Sequence, residues 1–295
     1  MFTSFSVPLP WSRVLTRTVH EIGDDHCFGL AAQLAFYFLL ALFPALLFLV
    51  ALIGHAGLDT TLGQLLNLFG AVAPRELMGL LRAQLDQLAD GGHASLLTLG
   101  MLGALWSSSA GMVAVIDALN HAYDVRDWRP WWKRRLVAIT LTAAMALFIV
   151  LALMLVLVGP ALAFQLAGWL RIEPIAPLLW SLLRWPVMIG CVVLAVDLVY
   201  HFAPNRKTRW QWLTPGSLLA TALWLGGSFG FKLYVANVGG LTAAYGAIGG
   251  VIVTMLWFYV SSLAILIGAE LNGVIDVAWR SEQLSRRADN VRWVW

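Results

Sequence analysis

The sequence predicts an all-α membrane protein with six transmembrane helices and with both termini in the cytoplasm. Three observations support this fold class. The first is composition: 60% of the 295 residues are hydrophobic and only 12% are charged, whereas about a quarter of the residues in a soluble domain are charged. The second is that the apolar residues form six long runs. The third is that the cations collect in alternate loops.

Each of the six runs is long enough to cross a hydrocarbon core of about 30 Å, which takes roughly 20 apolar residues in a helix. Most of the runs contain no Asp, Glu, Lys or Arg, but the fourth contains Arg184 and Asp197, and the fifth contains Lys232. The runs lack the alternation of membrane β-strands, so helices are expected. The predicted spans are residues 30–53, 94–116, 136–158, 178–202, 213–235 and 247–269.

The distribution of Lys and Arg predicts the orientation of these spans. Cations crowd the N-terminal tail, the loop after span two, the loop after span four and the C-terminal tail, while the opposite loops contain Arg75, Arg82 and Arg171. By the positive-inside rule the crowded side is cytoplasmic. The predicted organisation is a cytoplasmic N-terminal segment, a membrane domain and a basic cytoplasmic tail, at residues 1–29, 30–270 and 271–295.

Two further helices are predicted outside the spans. Trp11, Leu15 and Val19 belong to a set of apolar residues at helical spacing, which is typical of an amphipathic helix on the cytoplasmic face. No cleavable signal peptide is expected, because the first 28 residues lack a continuous apolar core. In the outer loop, Pro74 opens a segment whose leucines share one helical face, so a helix is predicted there.

The segment RDWRPWWKRR at residues 126–135 combines five cations with three tryptophans. It precedes span three on the predicted cytoplasmic face, where tryptophans settle at the headgroups and cations meet anionic lipid. The alternative is nucleic-acid binding, which needs a larger basic surface or a folded module, and no loop is long enough for one. An interfacial anchor is therefore predicted, formed by Arg129, Trp131, Trp132, Lys133, Arg134 and Arg135.

Four ordered stretches resemble the YihY/BrkB family of bacterial inner-membrane proteins. They are AAQLAFYFLLALFPALL, the run from LWSSSAG through DALNHAYDV to RPWWKRR, YHFAPNRKTRWQWLTPGSLLATALW, and AYGAIGGVIVTMLWFYVSSLAILIGAELN, and together they cover roughly residues 11–275. The resemblance implies six spans in the bacterial inner membrane. The family's names record a link to serum resistance and an old label as a ribonuclease, ribonuclease BN. Some relatives are tied to the handling of lipopolysaccharide precursors.

The residues do not support the ribonuclease label. A metal-dependent nuclease needs a tight cluster of His and Asp, and a metal-free one needs an acid and a base beside a phosphate site. The six histidines are scattered along the chain, and the nearest approaches to ligand spacing, DDHC at 24–27 and the pair Asp117 and His121, lack supporting ligands. No catalytic residue, metal or cofactor is therefore predicted.

Ionisable residues within the spans are the more informative signal, because an isolated charge at mid-bilayer costs about 3 kcal/mol or more. Arg184 and Lys232 lie near the predicted outer face, whereas Asp197 and Glu270 lie near the inner face. A polar cavity shared by these residues would satisfy them all, and independent pairing or snorkelling of each residue is the alternative. The family motifs add three candidate partners: Asn120, Tyr123 and Tyr245.

Small residues interrupt two spans, at ALWSSSAG (104–111) and ALWLGGSFG (222–230). They indicate either an inverted repeat of spans one to three and four to six, or close helix packing. The leading functional hypothesis is transport or translocation of a lipid or other amphiphilic anion in envelope biogenesis. Its expected partners are membrane lipids, including anionic lipid or a lipopolysaccharide precursor, and no nucleic acid. A scaffold for envelope assembly and a membrane-embedded lipid-modifying enzyme are the alternatives.

Overall fold

A computed structural model describes residues 9–55, 94–170, 176–206, 213–237 and 247–292. All the regular structure in these ranges is helical, and no strand occurs in them. The helices are α1 (Trp11–Asp24), α2 (Cys27–His55), α3 (Ala94–Ala122), α4 (Trp131–Leu170), α5 (Ala176–Phe202), α6 (Pro215–Asn237) and α7 (Ala247–Arg292).

Five of these helices are individually long and apolar enough to cross a membrane. Their candidate spans are Leu102–Ala122, Trp131–Leu155, Leu182–Phe202, Pro215–Val235 and Gly249–Glu282. Helix α1 and the first part of α2 form a sixth candidate together, bent by 62° at the break between them. The predicted multi-pass, all-helical class is confirmed, with five to six candidate spans in the described residues. The orientation of the termini stays a prediction, and the predicted outer-loop helix lies outside the described residues.

Several helices continue beyond the apolar runs that predicted them. Helix α4 begins at Trp131 rather than at residue 136, directly after Pro130, whose carbonyl oxygen accepts hydrogen bonds from the amides of Lys133 and Arg134. Helix α7 continues to Arg292, well past the predicted end of the span at residue 269. An apolar run marks the part of a helix that lies in lipid, whereas the helix itself extends for as long as its backbone stays hydrogen-bonded.

The chain divides into two compact units, and the first contains residues 1–38, 113–134 and 196–295. Within this unit α6 packs on α7, and α1 also lies on α7. The contact between α1 and α7 is an apolar cluster of Val14, Leu271, Val274 and Ile275. Burial of such aliphatic side chains contributes roughly 1.5–3 kcal/mol each in water. Helix α1 is therefore held to the protein by one side of its apolar face.

The second unit contains residues 39–112 and 135–195. Here α4 and α5 approach closely at Gly159, where a Cβ atom would overlap the ring of Trp180. At the start of the α4 portion of this unit, the Arg135 guanidinium stacks on the Trp106 ring, 4.4 Å from its centroid. It also donates a hydrogen bond to the Trp106 carbonyl oxygen. This arginine therefore joins α4 to α3.

Candidate functional site

A buried polar network surrounds the N-terminus of α6 in the first unit. We define it by four side chains: Tyr123 after α3, Asp197 on α5, Thr214 before α6 and Asn272 on α7. Asp197 is 2% exposed, and its Oδ1 accepts a 2.6 Å hydrogen bond from Thr214 Oγ1. The network contains two of the candidates predicted from the sequence, Asp197 and Tyr123.

The sequence Thr-Pro-Gly-Ser at 214–217 forms the network by capping α6. Thr214 Oγ1 accepts a hydrogen bond from the Ser217 amide (3.1 Å), and Ser217 Oγ accepts one from the Thr214 amide (3.3 Å). This reciprocal pairing satisfies amides that the helix itself leaves without partners. Pro215 has no amide hydrogen, so it suits the first helical position. The capped terminus places Thr214 beside the Asp197 carboxylate, on the end of α6 that favours negative charge.

Asn272 connects α7 to this terminus. Its Oδ1 accepts a 2.8 Å hydrogen bond from the Gly216 amide, and its Nδ2 donates to Thr214 Oγ1 (3.1 Å) and to the Tyr123 hydroxyl (3.4 Å). Position 216 requires glycine, because a Cβ atom there would overlap the Gly268 carbonyl oxygen and the Asn272 side chain. Asn272 therefore connects α7 to two other chain segments, residues 214–216 and Tyr123, through one amide group.

The directions of these hydrogen bonds can be assigned from the donors. Thr214 Oγ1 accepts from the Ser217 amide and from Asn272 Nδ2, so its single proton is left for Asp197 Oδ1. The second carboxylate oxygen, Asp197 Oδ2, is buried and has no partner among the described residues. A buried polar atom of this kind is costly unless it binds something, which singles out Asp197 as a functional candidate.

Two buried tyrosines extend the network. Burial raises the pKa of Tyr123 to about 12, although the Arg206 guanidinium, 3.6 Å from the ring centroid, opposes that rise. Arg206 also forms an ion pair with Asp276 on α7. Tyr200 on α5 lies edge-on to Tyr123, and its hydroxyl donates to the Ile265 carbonyl oxygen. Tyr123 therefore stays neutral at physiological pH and acts as a hydrogen-bond acceptor for Asn272.

Asn120, another sequence-predicted candidate, lies in the last turn of α3 and belongs to a separate cluster. Its Nδ2 donates to Asp127 Oδ2 (3.2 Å), and its Oδ1 accepts from the Asn205 amide (2.8 Å). Arg129 donates to both oxygens of Asp127, at 2.9 and 2.8 Å, and to the Ala203 carbonyl oxygen at 2.8 Å. Burial opposes ionisation of Asp127, but the hydrogen bonds from Arg129 and Asn120 outweigh it and lower its pKa.

The structure divides the cations of the predicted anchor into two groups. Arg129, Arg134 and Arg135 bind other parts of the protein: Arg129 as above, Arg134 through a 2.7 Å ion pair with Asp117, and Arg135 through the contacts to α3. Lys133 is exposed instead, with its ammonium 5.2 Å from the Trp132 ring centroid.

The tryptophans of the predicted anchor face outward. Trp131 is 72% exposed and Trp132 is 48% exposed. Trp128, which was left out of the predicted set, is also exposed, and the Arg126 guanidinium lies 4.4 Å from its ring centroid. Exposed indole rings with Lys or Arg side chains beside them are typical of the headgroup region of a membrane. The anchor stays a prediction, and the outward-facing groups are the part of it that lipid can reach.

The other candidate residues are not part of the polar network. Glu270 is 2% exposed and accepts a 3.2 Å hydrogen bond from the Cys27 thiol. Lys232 has an exposed side chain on α6, and Arg184, in the second unit, has an exposed side chain 5.5 Å from the Trp185 ring centroid. Tyr245 lies outside the described residues.

Three residues of the site were missed by sequence reasoning: Thr214, Gly216 and Asn272. The Thr-Pro-Gly-Ser motif could have been identified as a helix start, since it combines a capping residue with a proline at the first helical position. Asn272 offers no comparable signal, because its partners are distant in sequence and are brought close only by the packing of α6 on α7.

These features define the class: a multi-pass helical membrane protein in which buried polar groups join several spans. The chain belongs to the family described as Virulence factor BrkB, whose sequence profile matches residues 18–292. The match confirms the resemblance found in the four ordered stretches.

Individual relatives are similar over different lengths. The "Putative ribonuclease-like protein YfkH" of Bacillus subtilis is 35% identical over 258 residues, covering 88% of this chain and 91% of the relative. A "UPF0761 membrane protein" of Tolumonas auensis is 30% identical over 185 residues, covering 60% of this chain and 57% of the relative. "UPF0761 membrane protein RSc1559" of Ralstonia nicotianae is 27% identical and covers 95% and 62%. The chain thus spans about 60% of the length of these UPF0761 relatives. No solved structure matches.

Proposed function

We propose that this protein transports or translocates an amphiphilic anion, such as an anionic lipid, across the bacterial inner membrane. The observation that carries the proposal is a pair of exposed cations on membrane-spanning helices, Arg184 on α5 and Lys232 on α6. Among the described residues, no salt bridge neutralises either of them. A charge within a span is costly unless an opposite charge compensates it. Each of these cations therefore favours the approach of an anionic headgroup.

Asp197 supports the same proposal from the opposite end of α5. Its unpartnered Oδ2 is buried beside the N-terminus of α6, where a proton or water would find a single free acceptor. In the predicted topology the two cations attract an anion near the outer face, and Asp197 lies near the inner face. A proton on Asp197 would remove negative charge from the inner end and so ease the passage of an anion.

A scaffold for envelope assembly is the second candidate, and it is favoured by a different observation. Asn272 donates hydrogen bonds to Thr214 and Tyr123, Thr214 donates one to Asp197, and Asp197 Oδ2 is left without a partner among the described residues. Holding α5, α6 and α7 together is a sufficient role for a network of this kind. The ribonuclease-like name of one relative is not extended to this chain: in the described ranges, no three His, Cys, Asp or Glu side chains are grouped to hold a metal ion.

Lipid binding by purified variants tests the proposal. Bound phosphatidylglycerol and phosphatidylcholine are counted separately by native mass spectrometry, for the unmodified protein and for Arg184→Gln and Lys232→Gln. We expect a preference for phosphatidylglycerol that either substitution weakens roughly tenfold, equivalent to about 1.4 kcal/mol, with an unchanged melting temperature. The matched control is Arg13→Gln, which removes an exposed cation of α1 outside the candidate sites.

Two outcomes contradict the proposal. One is equal binding of both lipids by the unmodified protein. The other is an equal loss of anionic lipid in Arg13→Gln and in the two span variants, because that would show nonspecific attraction to any surface cation. Either result favours the scaffold.

A further inference from the structure

The N-terminal helix α1 packs on the last helix around a small acidic pocket. Residues from four parts of the first unit line it: Glu21 on α1, Asp25 in the break before α2, Asp124 after α3 and Glu270 on α7. We call this set the carboxylate pocket. Its cavity has about 20 Å³ of room for water centres, enough for about one water molecule. Arg17 is the one cation among its lining residues, and it is half-exposed and paired with Glu21 at 3.3 Å.

Two of these carboxyl groups face each other across the cavity. Asp25 and Glu270 come from different chain segments and line the same small space, close enough to share a hydrogen bond. A carboxylate can only accept a hydrogen bond, so a hydrogen bond between Asp25 and Glu270 requires one of the two groups to carry a proton. The Cys27 thiol donates to Glu270 Oε1 and occupies one of the remaining acceptor positions. This proton would lie between Asp25, in the break before α2, and Glu270, on α7.

The charges around Asp25 and Glu270 disfavour a negative charge on both of these groups at once. Burial raises the pKa of Asp25, and the negative charges of Asp124 and Glu21 raise it further, while a hydrogen bond with Glu270 and the charge of His121 oppose the rise. Tyr123 also borders the cavity but stays neutral. Arg17 can offset only part of this negative charge, because its side chain is 48% exposed and screened by water.

Helix α1 ends at a break in the helical backbone. Helix α1 meets α2 at 62°, and the break contains His26 in the left-handed region, with φ of 50°. The apolar attachment of α1 to α7 is small and centres on Val14. On its outward side, Trp11, Leu15 and Val19 are exposed, at 43%, 52% and 70%. Helix α1 is thus a short element with one apolar contact to the protein and an adjoining apolar strip that is free to meet lipid.

We propose that proton occupancy of the carboxylate pocket controls the docking of α1 on α7. When Asp25 and Glu270 share a proton, they bind each other and hold the end of α1 against the last helix. When the proton leaves, four carboxylates face one cavity with a single partly exposed arginine, and α1 detaches about the break at residues 25–26. The strip of Trp11, Leu15 and Val19 then moves with it.

The direction of the pH dependence of docking follows from proton linkage. The docked state binds more protons than the detached state, so docking is strongest at low pH and weakens as pH rises above the ordinary pKa of Asp, about 3.9. For one linked proton, the ratio of docked to detached molecules falls up to about tenfold for each pH unit.

Hydrogen exchange of the α1 backbone amides, measured on the full chain in lipid nanodiscs from about pH 5 to about pH 9, tests the proposal. The measured quantity is the protection factor, in which the intrinsic acceleration of exchange by base is already divided out. We expect the α1 protection factor to fall with pH in the unmodified protein, by up to about tenfold per unit, while residues 113–122 of α3 keep theirs. In Asp25→Asn and Glu270→Gln, the α1 protection factor should become independent of pH.

The matched control is Asp24→Asn, one residue away. Asp24 is exposed, pairs with His20 at 3.3 Å and is not among the residues that line the pocket. This variant should keep the pH dependence of the unmodified protein. The proposal is overturned if α1 protection does not change with pH in the unmodified protein, or if the change survives in both Asp25→Asn and Glu270→Gln. It is also overturned if Asp24→Asn abolishes the change equally.

Discussion

The substitution Asn272→Leu should destabilise the protein by about 2–3 kcal/mol while keeping the branched shape and the number of heavy atoms of the side chain. It leaves the Gly216 amide, which lies 2.8 Å from Asn272 Oδ1, buried and without a partner, at a cost of about 1–3 kcal/mol. It also removes the 3.1 Å contact to Thr214, worth about 0.6 kcal/mol by the average for hydrogen bonds between membrane helices. The 3.4 Å contact to Tyr123 is longer and adds less. The free energy gained by burying the leucine side chain offsets part of this loss of stability.

Equilibrium unfolding by a denaturing detergent, followed by tryptophan fluorescence, measures this change, since the chain contains 15 tryptophans. The control is Thr254→Val on the same helix, whose hydroxyl donates to the Gly250 carbonyl oxygen one turn earlier. It should change the free energy of unfolding by less than about 0.5 kcal/mol. The reasoning is refuted if Asn272→Leu and Thr254→Val are equally stable, because α6 and α7 would then be joined by apolar packing alone.

Three further predictions concern the basic segment and the topology. Arg129→Gln should destabilise the protein by about 2 kcal/mol or more, because it removes the donor to the Ala203 carbonyl oxygen and the ion pair that partners the Asp127 carboxylate. Arg134→Gln breaks a half-exposed ion pair and should cost less than about 1 kcal/mol. Chemical denaturation compares the two variants, and equal costs would contradict the assignment. The lowered pKa of Asp127 contributes stability above the ordinary pKa of about 3.9 that is lost as pH falls below it. Asp127→Asn should therefore abolish acid-induced loss of amide protection around residue 127, and its persistence would count against the Arg129 pairing. Cysteine labelling from outside should modify a substitution at Gln64 but not at Arg129, and the reverse pattern would invert every statement of sidedness.

The membrane-spanning class could be predicted because it depends on a property visible in single residues. Each run of about 20 apolar residues must avoid water, and a helix is the simplest way for it to satisfy its backbone in lipid. Five candidate spans among the described residues, from Leu102–Ala122 to Gly249–Glu282, accordingly lie on long helices. The ends of the helices could not be predicted in this way, because the continuation of α4 and α7 beyond their apolar runs depends on backbone hydrogen bonding and not on hydropathy.

The site was predicted in part for a related reason. Asp197 and Glu270 were identified because charge is rare within spans, and both are buried beside polar groups. Their partners, Thr214 and Cys27, are ordinary residues whose importance depends on which helices pack together. Asp25 was identified only as part of a stretch resembling a metal site, since nothing in the sequence shows that it meets a residue 245 positions later.

Movement of an anionic lipid in proteoliposomes tests the proposed function most directly. Vesicles containing fluorescent phosphatidylglycerol are prepared with and without the protein, and a membrane-impermeant reductant measures how much label reaches the outer leaflet over time. The account predicts that the protein accelerates movement of phosphatidylglycerol over phosphatidylcholine, that Arg184→Gln slows it without lowering the melting temperature, and that Asp197→Asn changes its pH dependence. Vesicles with well-folded protein that move neither lipid faster than empty vesicles would contradict the account.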